Sequence, residues 1–379
     1  MKKIALVAPY KECNYGTVLQ AYALQNVLAS QGVESEYLRY SPVMPQPLWK
    51  LPFKKLYSII RSSPIKNGGI SKGLDDYSFF LSPDFKPFVD GFEQFVKERI
   101  MESNECYNPV SLKTCTTYDA YMVGSDQTWG EARTRKNPIY FLDCINPDYP
   151  KLSYAPSIGT THISDDYMQV LETKLSSFKS LSCREKTNCG LLSKKLHREV
   201  RYVLDPTLLL SAEEWNKVAQ KHMEIGLKEK QYILCYILGE KSYISEFAEK
   251  LSEEKGMPVY YIVTRPIYLK KKNHLFTTPY SFVSLIRDAA YVITDSFHGT
   301  IFSINFNTQF YSFTKREESE NVDNDRIIEL LKTFGLEERF QEGKYAFVKD
   351  INWNEANKRL SEEREHSMEY LGETLSLIR

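Results

Sequence analysis

The sequence has no excess charge of either sign. Its 49 Lys and Arg residues balance 49 Asp and Glu, so no global field draws it to nucleic acid and any anion site must be local. Cysteine is sparse and scattered: Cys13, Cys106, Cys115, Cys144, Cys183, Cys189 and Cys235 form no C-x-x-C pair and have no histidine at metal spacing. That excludes a disulfide framework and a zinc site, and fits reduced thiols in a cytoplasmic protein. No apolar run approaches the roughly 18 to 20 residues of a membrane span. The opening apolar run is too short for a secretory leader, and Pro9 closes it like the end of a strand. No G-x-G-x-x-G follows that strand, which argues against a dinucleotide site.

What is present is an alternation of short apolar runs and helical patterns. Strands are predicted over 3–9, 33–39, 119–124, 151–155 and 180–183, with helices over 18–30, 88–100 and 166–178. The rhythm restarts with strands over 232–238, 259–263, 291–294 and 310–313 and helices over 243–255 and 280–289. Two such arrays predict an α/β protein of two doubly wound, Rossmann-like domains with a cleft between them. The boundary falls at Asp205-Pro206-Thr207 and the capping-box pair Ser211 and Glu214, giving domains 1–205 and 206–379. A last helix over 353–378 is expected to pack across both. Residues 41–100, broken by repeated prolines, form an irregular helical insertion. Within it, residues 48–61 are basic and aromatic. They read either as a helical excursion packed on its own domain or as a contact with an anionic membrane face or a lipid-linked acceptor.

The candidate working centre is 291–307. An apolar strand gives way at Asp295 to a helix opening near Gly299, with Asp295, Ser296 and Thr300 as capping groups. Unpaired N–H groups beside His298 would make an anion site, and Gly299, with no Cβ, would let a phosphate approach the main chain. The structural alternative is an ordinary strand-to-helix junction with a hydrogen-bonded histidine. Asn14 and Gly16 stand at the carboxyl end of the first strand, where open sheets bind ligands, with Gln20 a helical turn further on. Asn14 is equally suited to capping a helix. Gly124 to Trp129 is a polar loop in which Asp126 could act as base toward a hydroxyl, or close an Asx turn. Arg184, emerging after the strand over 180–183, suits a carboxylate or phosphate, or pairing with Glu185.

Taken together, Asn14-Tyr-Gly-Thr-Val-Leu-Gln-Ala-Tyr-Ala-Leu24, Val-Gly-Ser-Asp-Gln-Thr-Trp129, Ser-Tyr-Ala-Pro-Ser-Ile-Gly159, Cys-Arg-Glu185, Leu-Asp-Pro-Thr207 and Thr-Asp-Ser-Phe-His-Gly-Thr300 resemble the polysaccharide pyruvyl transferase family. The resemblance runs to about residue 340. It implies a GT-B-like fold and phosphoenolpyruvate as co-substrate, with no other cofactor and no required metal. It also implies a sugar acceptor from a bacterial capsule, exopolysaccharide or cell-wall polymer, often lipid-linked, met in the cytoplasm or at the inner face of the membrane. On this reading His298 and Asp126 are catalytic. Arg184, Ser296, Gly299, Thr300 and Arg326 hold the donor, and Asn14, Gly16, Gln20, Ser125 and Gln127 hold the acceptor. Many members carry Arg-Leu-His-Gly where this chain has Ser296-Phe297-His298-Gly299, so Arg184, Arg326, Lys315 or Arg316 must supply that cation. Two rivals share the pattern: a GT-B glycosyltransferase using a nucleotide sugar, and a non-catalytic saccharide-binding member of a polymer-assembly complex.

Overall fold

Short apolar strands buried on both faces require helices on both sides of a parallel sheet. The computed structural model, which describes residues 2–41, 86–219, 227–239, 242–263, 272–314, 325–342 and 346–378, contains two such sheets. In the first, β1 (Lys3–Val7), β2 (Glu34–Tyr40), β3 (Glu102–Tyr107), β4 (Ala120–Val123) and β5 (Lys151–Ser153) are all parallel in the order β3-β2-β1-β4-β5. A short pair, β6 (Ser182–Cys183) and β7 (Arg201–Tyr202), follows on from β5 through a bridge between Leu152 and Ser180. In the second sheet, β8 (Ile233–Tyr236), β9 (Val259–Ile262), β10 (His274–Leu275), β11 (Tyr291–Thr294), β12 (Gln309–Phe313) and β13 (Phe340–Gln341) run β10-β9-β8-β11-β12-β13, again all parallel. Strand order reverses between β1 and β4 and again between β8 and β11. Both are points at which doubly wound sheets open a ligand crevice.

The helices explain how the two crevices come together. α1 (Tyr15–Ser30) is apolar on nearly every face, the mark of a helix buried all round. Tyr15 stacks on Phe282 of the second half at 4.3 Å between ring centres, and its hydroxyl donates to the Thr277 carbonyl. α2 (Lys86–Arg99) joins the same contact, Arg99 donating to the Tyr280 hydroxyl. One core cluster accordingly runs through both halves, from Ile4 and Leu24 to Val283, Phe302 and Leu360. Beyond α3 (Lys186–Leu196), α4 (Pro279–Asp288) and α5 (Phe297–Asn305), α6 (Asp325–Phe334) reaches back to the first half, where Asp325 accepts from Thr161 and Glu329 from Thr187. α7 (Trp353–Ser376) starts beside Phe310 of the second sheet. It ends against the first, where Tyr370 donates to the Ser153 carbonyl and Lys2 to the Ile378 carbonyl. The arrangement is GT-B-like: two Rossmann-like lobes, a cleft, and a final helix crossing both.

Some boundaries differ from the sequence reading. α1 starts at Tyr15, three residues early, because Asn14 accepts from the Thr17 N–H and sets its start. α5 starts at Phe297 with Ser296 as cap, so Gly299 lies inside the first turn. β3 was not anticipated: Glu102 to Tyr107 is a polar edge strand with only Ser103 and Tyr107 buried. Residues 48–61, Lys315 and Arg316 lie outside the described residues. No helix among the described residues is long and apolar enough to cross a membrane.

Candidate active site

Four loops, one from the carboxyl end of each of β1, β4, β8 and β11, meet in a cleft of ≈ 130 Å³. From the first half come Glu12, Asn14, Thr17, Asp126, Gln127 and Arg133. From the second come Leu238, Asp295, Ser296, Phe297, His298 and Arg326. The two switch points therefore face each other and share one space.

His298 is the second residue of α5, and its imidazole spans the join between the halves. On one side its Nδ1 edge lies over Gly16, where an added Cβ would sit only 2.0 Å away. On the other, its Nε2 is 3.7 Å from Asp205 Oδ2, longer than a hydrogen bond, so the pull is electrostatic. Asp205 is almost fully buried and heavily held. Thr207 donates to Oδ1 through its N–H and hydroxyl; Ser125 and Arg184 donate to Oδ2 at 2.9 and 2.7 Å. Burial pushes the Asp205 carboxyl up, but His298, Arg184 and the Thr207 hydrogen bond outweigh it and hold it well below the usual carboxylate range. A fixed anion beneath the imidazole holds the ring in one orientation.

Asp126 reaches the cleft through a backbone in the left-handed region, at φ 74°. Non-glycine residues seldom adopt it, but Asp tolerates it, and here its carbonyl accepts from the N–H groups of both Thr128 and Ser157. Its Oδ1 accepts from the Gln127 N–H at 2.8 Å and its Oδ2 from the Thr17 hydroxyl at 3.0 Å. Burial acts to raise its pKa, yet the charges of Arg184, Arg133 and His298 leave it lowered. It is an anion at neutral pH, and a weak base until its partner turns acidic.

The structure separates the remaining candidates by position. Asn14, Gln127, Ser296 and Arg326 line the cleft with His298 and Asp126. Arg326 packs 5.6 Å from the centre of the Phe297 ring. Arg184 does not line the cleft. It lies buried beneath it, 4.5 Å from the centre of the same ring, committed to Asp205 and near Glu185 at 3.7 Å, because a cation without water needs its counter-charges adjacent. Ser125 is fully buried with its hydroxyl given to Asp205, so it faces away from any acceptor. Gln20 is fully buried too, its amide donating to the Pro9 and Thr17 carbonyls, which places it under the loop and not in the cleft. Gly299 faces β11: a Cβ there would meet Thr294 Oγ1 at 2.4 Å, so its bareness serves packing and not ligand approach. Thr300 is likewise buried, bonded to the Ser296 carbonyl and the Ser312 hydroxyl.

Anion-binding capacity remains at the start of α5. The Gly299 N–H donates to the Ser296 hydroxyl and the Thr300 N–H to the Ser296 carbonyl. The N–H groups of Phe297 and His298, ahead of the first helical bond, are the ones this helix start offers to an anion. Asp295 takes up the N–H groups of Leu238 and Gly239, both at 2.7 Å, so those two amides are already committed. Asp205, Thr17, Arg133 and Glu12 were absent from the sequence-based site. Asp205 and Thr17 stood inside quoted motifs, but their burial and partners depend on chain folding; Arg133, paired with Glu12 at 2.9 Å, carried no motif signal.

Comparison with known proteins bears on this arrangement. No curated protein matches the chain. Among solved structures, similarity extends to Staphylococcus aureus MnaA with UDP, at 12% identity and TM-score 0.46, covering 99% of this chain and 91% of that one. A putative UDP-N-acetylglucosamine 2-epimerase from Listeria monocytogenes is similar at 8% identity and TM-score 0.49, covering 98% and 91%. The family model for polysaccharide pyruvyl transferases matches residues 14–314, from the helix cap below His298 to the strand beyond it. The chain belongs to the polysaccharide pyruvyl transferase family.

Proposed function

We propose that this protein transfers the pyruvyl group of phosphoenolpyruvate to two neighbouring hydroxyls of a saccharide in a surface-polymer precursor, forming a ketal and releasing phosphate. The observation that carries it is the pairing, across one small cleft, of an imidazole backed by a buried carboxylate with a second, fixed carboxylate. Ketal formation needs a proton placed on the methylene carbon of the donor, which makes C2 electrophilic; His298, held over Asp205, is the acid for that step. A sugar hydroxyl then bonds to C2 and becomes strongly acidic, so even the weakly basic Asp126 can take its proton. Phosphate leaves with the bridging oxygen, and the second hydroxyl closes the ring, its proton leaving with the hydrogen phosphate.

Donor anions would meet Arg326 and the Phe297 and His298 N–H groups, with Arg326 in place of the arginine absent at Ser296. Asn14 and Gln127, on the opposite wall, would face the acceptor. A nucleotide-sugar donor fits less well. Asp295 already occupies the Leu238 and Gly239 amides of the second crevice, which a nucleotide's phosphates would otherwise use. Incubation with phosphoenolpyruvate and a panel of saccharides, read by mass spectrometry, tests the reading. A product heavier by one pyruvate less one water supports it. Turnover of a nucleotide sugar, with none of phosphoenolpyruvate, sinks it.

A further inference from the structure

The cleft, at ≈ 130 Å³, has room for little beyond the reacting groups, and the rest of the acceptor must continue outside it. Two grooves leave it. One shares only Glu12 with the cleft and carries an apolar wall of Val89, Phe92, Val96 and Ile100 among the charged Lys11, Glu93, Lys97 and Glu102. The other, of ≈ 890 Å³, shares Glu12, Gln127 and Arg133 with the cleft and runs on past Lys136, Asn137 and Thr160. Polar side chains line most of its length. Its floor is held in place: Tyr140 is buried in the core, and at Gly159, where φ is 90°, an added Cβ would collide with the Gln127 amide at 2.8 Å. Gln127 and Gly159 therefore fit together where cleft and groove join. The Arg133–Glu12 ion pair stands at the same mouth, presenting donors and an acceptor to whatever passes.

Resting on the pyruvyl-transfer reading, we propose that this groove binds the saccharide chain behind the reacting sugar, so that the preferred acceptor is an oligosaccharide of several residues and not a single sugar. A hydroxyl-rich chain in an open groove gains about fivefold in affinity for each net hydrogen bond it makes, so two added residues suffice for a clear difference. Nothing in this requires the donor to be present.

The test is calorimetric binding to the full chain without phosphoenolpyruvate, using glucose, galactose, N-acetylglucosamine and N-acetylmannosamine glycosides of one, two, three and four residues. At least one series is expected to bind about tenfold or more tightly at three residues than at one. In Ala132→Trp, which fills the groove wall, that advantage should fall to about twofold or less. Affinity that does not grow with length, no binding from any series, a length advantage that survives Ala132→Trp, or displacement of the glycan by UDP alone overturns the proposal. A length-dependent Kd in a protein that never transfers pyruvate would keep the groove and remove the reaction, so the two readings fail separately.

Discussion

At the scale of single residues, the site depends on charges that the fold has taken out of water and paired. Asp205 is the centre of that arrangement, and removing its charge leaves Arg184 buried without the carboxylate it is bonded to at 2.7 Å. Asp205→Asn should destabilise the protein by roughly 3–5 kcal/mol, the cost of breaking a buried pair on one side. The pH dependence has a definite sign. Because the native carboxyl is held below its unfolded value, its stabilisation is present above about pH 4 and is lost as the pH falls through the native value. Urea unfolding from about pH 3 to about pH 6 should show wild-type stability climbing with pH more steeply than Asp205→Asn in the acid part of that range. Parallel curves would remove Asp205 from this role. None of this was legible beforehand. The sequence displays Asp-Pro-Thr as a domain boundary, and only the long-range return of Ser125, Arg184 and His298 makes it a charge centre.

At the scale of elements, what the sequence made legible was where strands end. Buried parallel strands leave plain apolar runs, so β1, β4 and β11 and the loops that follow them could be placed, with Asp126 and His298 at their tips. Which side of a loop faces the cleft could not be read, because spacing along the chain does not encode it; hence Gly16, Gln20, Ser125, Arg184, Gly299 and Thr300 were expected to hold a substrate and instead lie buried behind the cleft lining. β3 escaped for a related reason: an edge strand keeps mostly polar side chains and so lacks the apolar signal. Two glycines, one in the first turn of α1 and one in that of α5, now carry opposite expectations. In Gly16→Ala the clash falls on the free end of the His298 side chain, so transfer should drop at least tenfold with melting little changed, since alanine also favours the helix. In Gly299→Ala it falls on Thr294, anchored in β11, and stability should drop by about 1–3 kcal/mol. Melting curves and turnover of the two variants side by side decide it; equal effects on both properties would contradict the packing account.

At the scale of the whole molecule, two doubly wound sheets are joined by a continuous core and by a last helix that touches both. The two-array rhythm of the sequence foretold the sheets, but not how closely they are fused, because helices such as α1 look the same in sequence whether one lobe or two cover them. The fusion predicts a single cooperative unfolding transition by calorimetry; two separated transitions would show lobes that fold alone. It also sets the candidate site between the lobes: His298 belongs to one, and Asp126 and Asp205 to the other side of the join. The most direct check is phosphate release from phosphoenolpyruvate in the presence of a saccharide that the wild type modifies, compared between wild type and His298→Ala. The account predicts a loss of about 100-fold or more in a variant that still folds. Phosphate release at the wild-type rate in His298→Ala would contradict it.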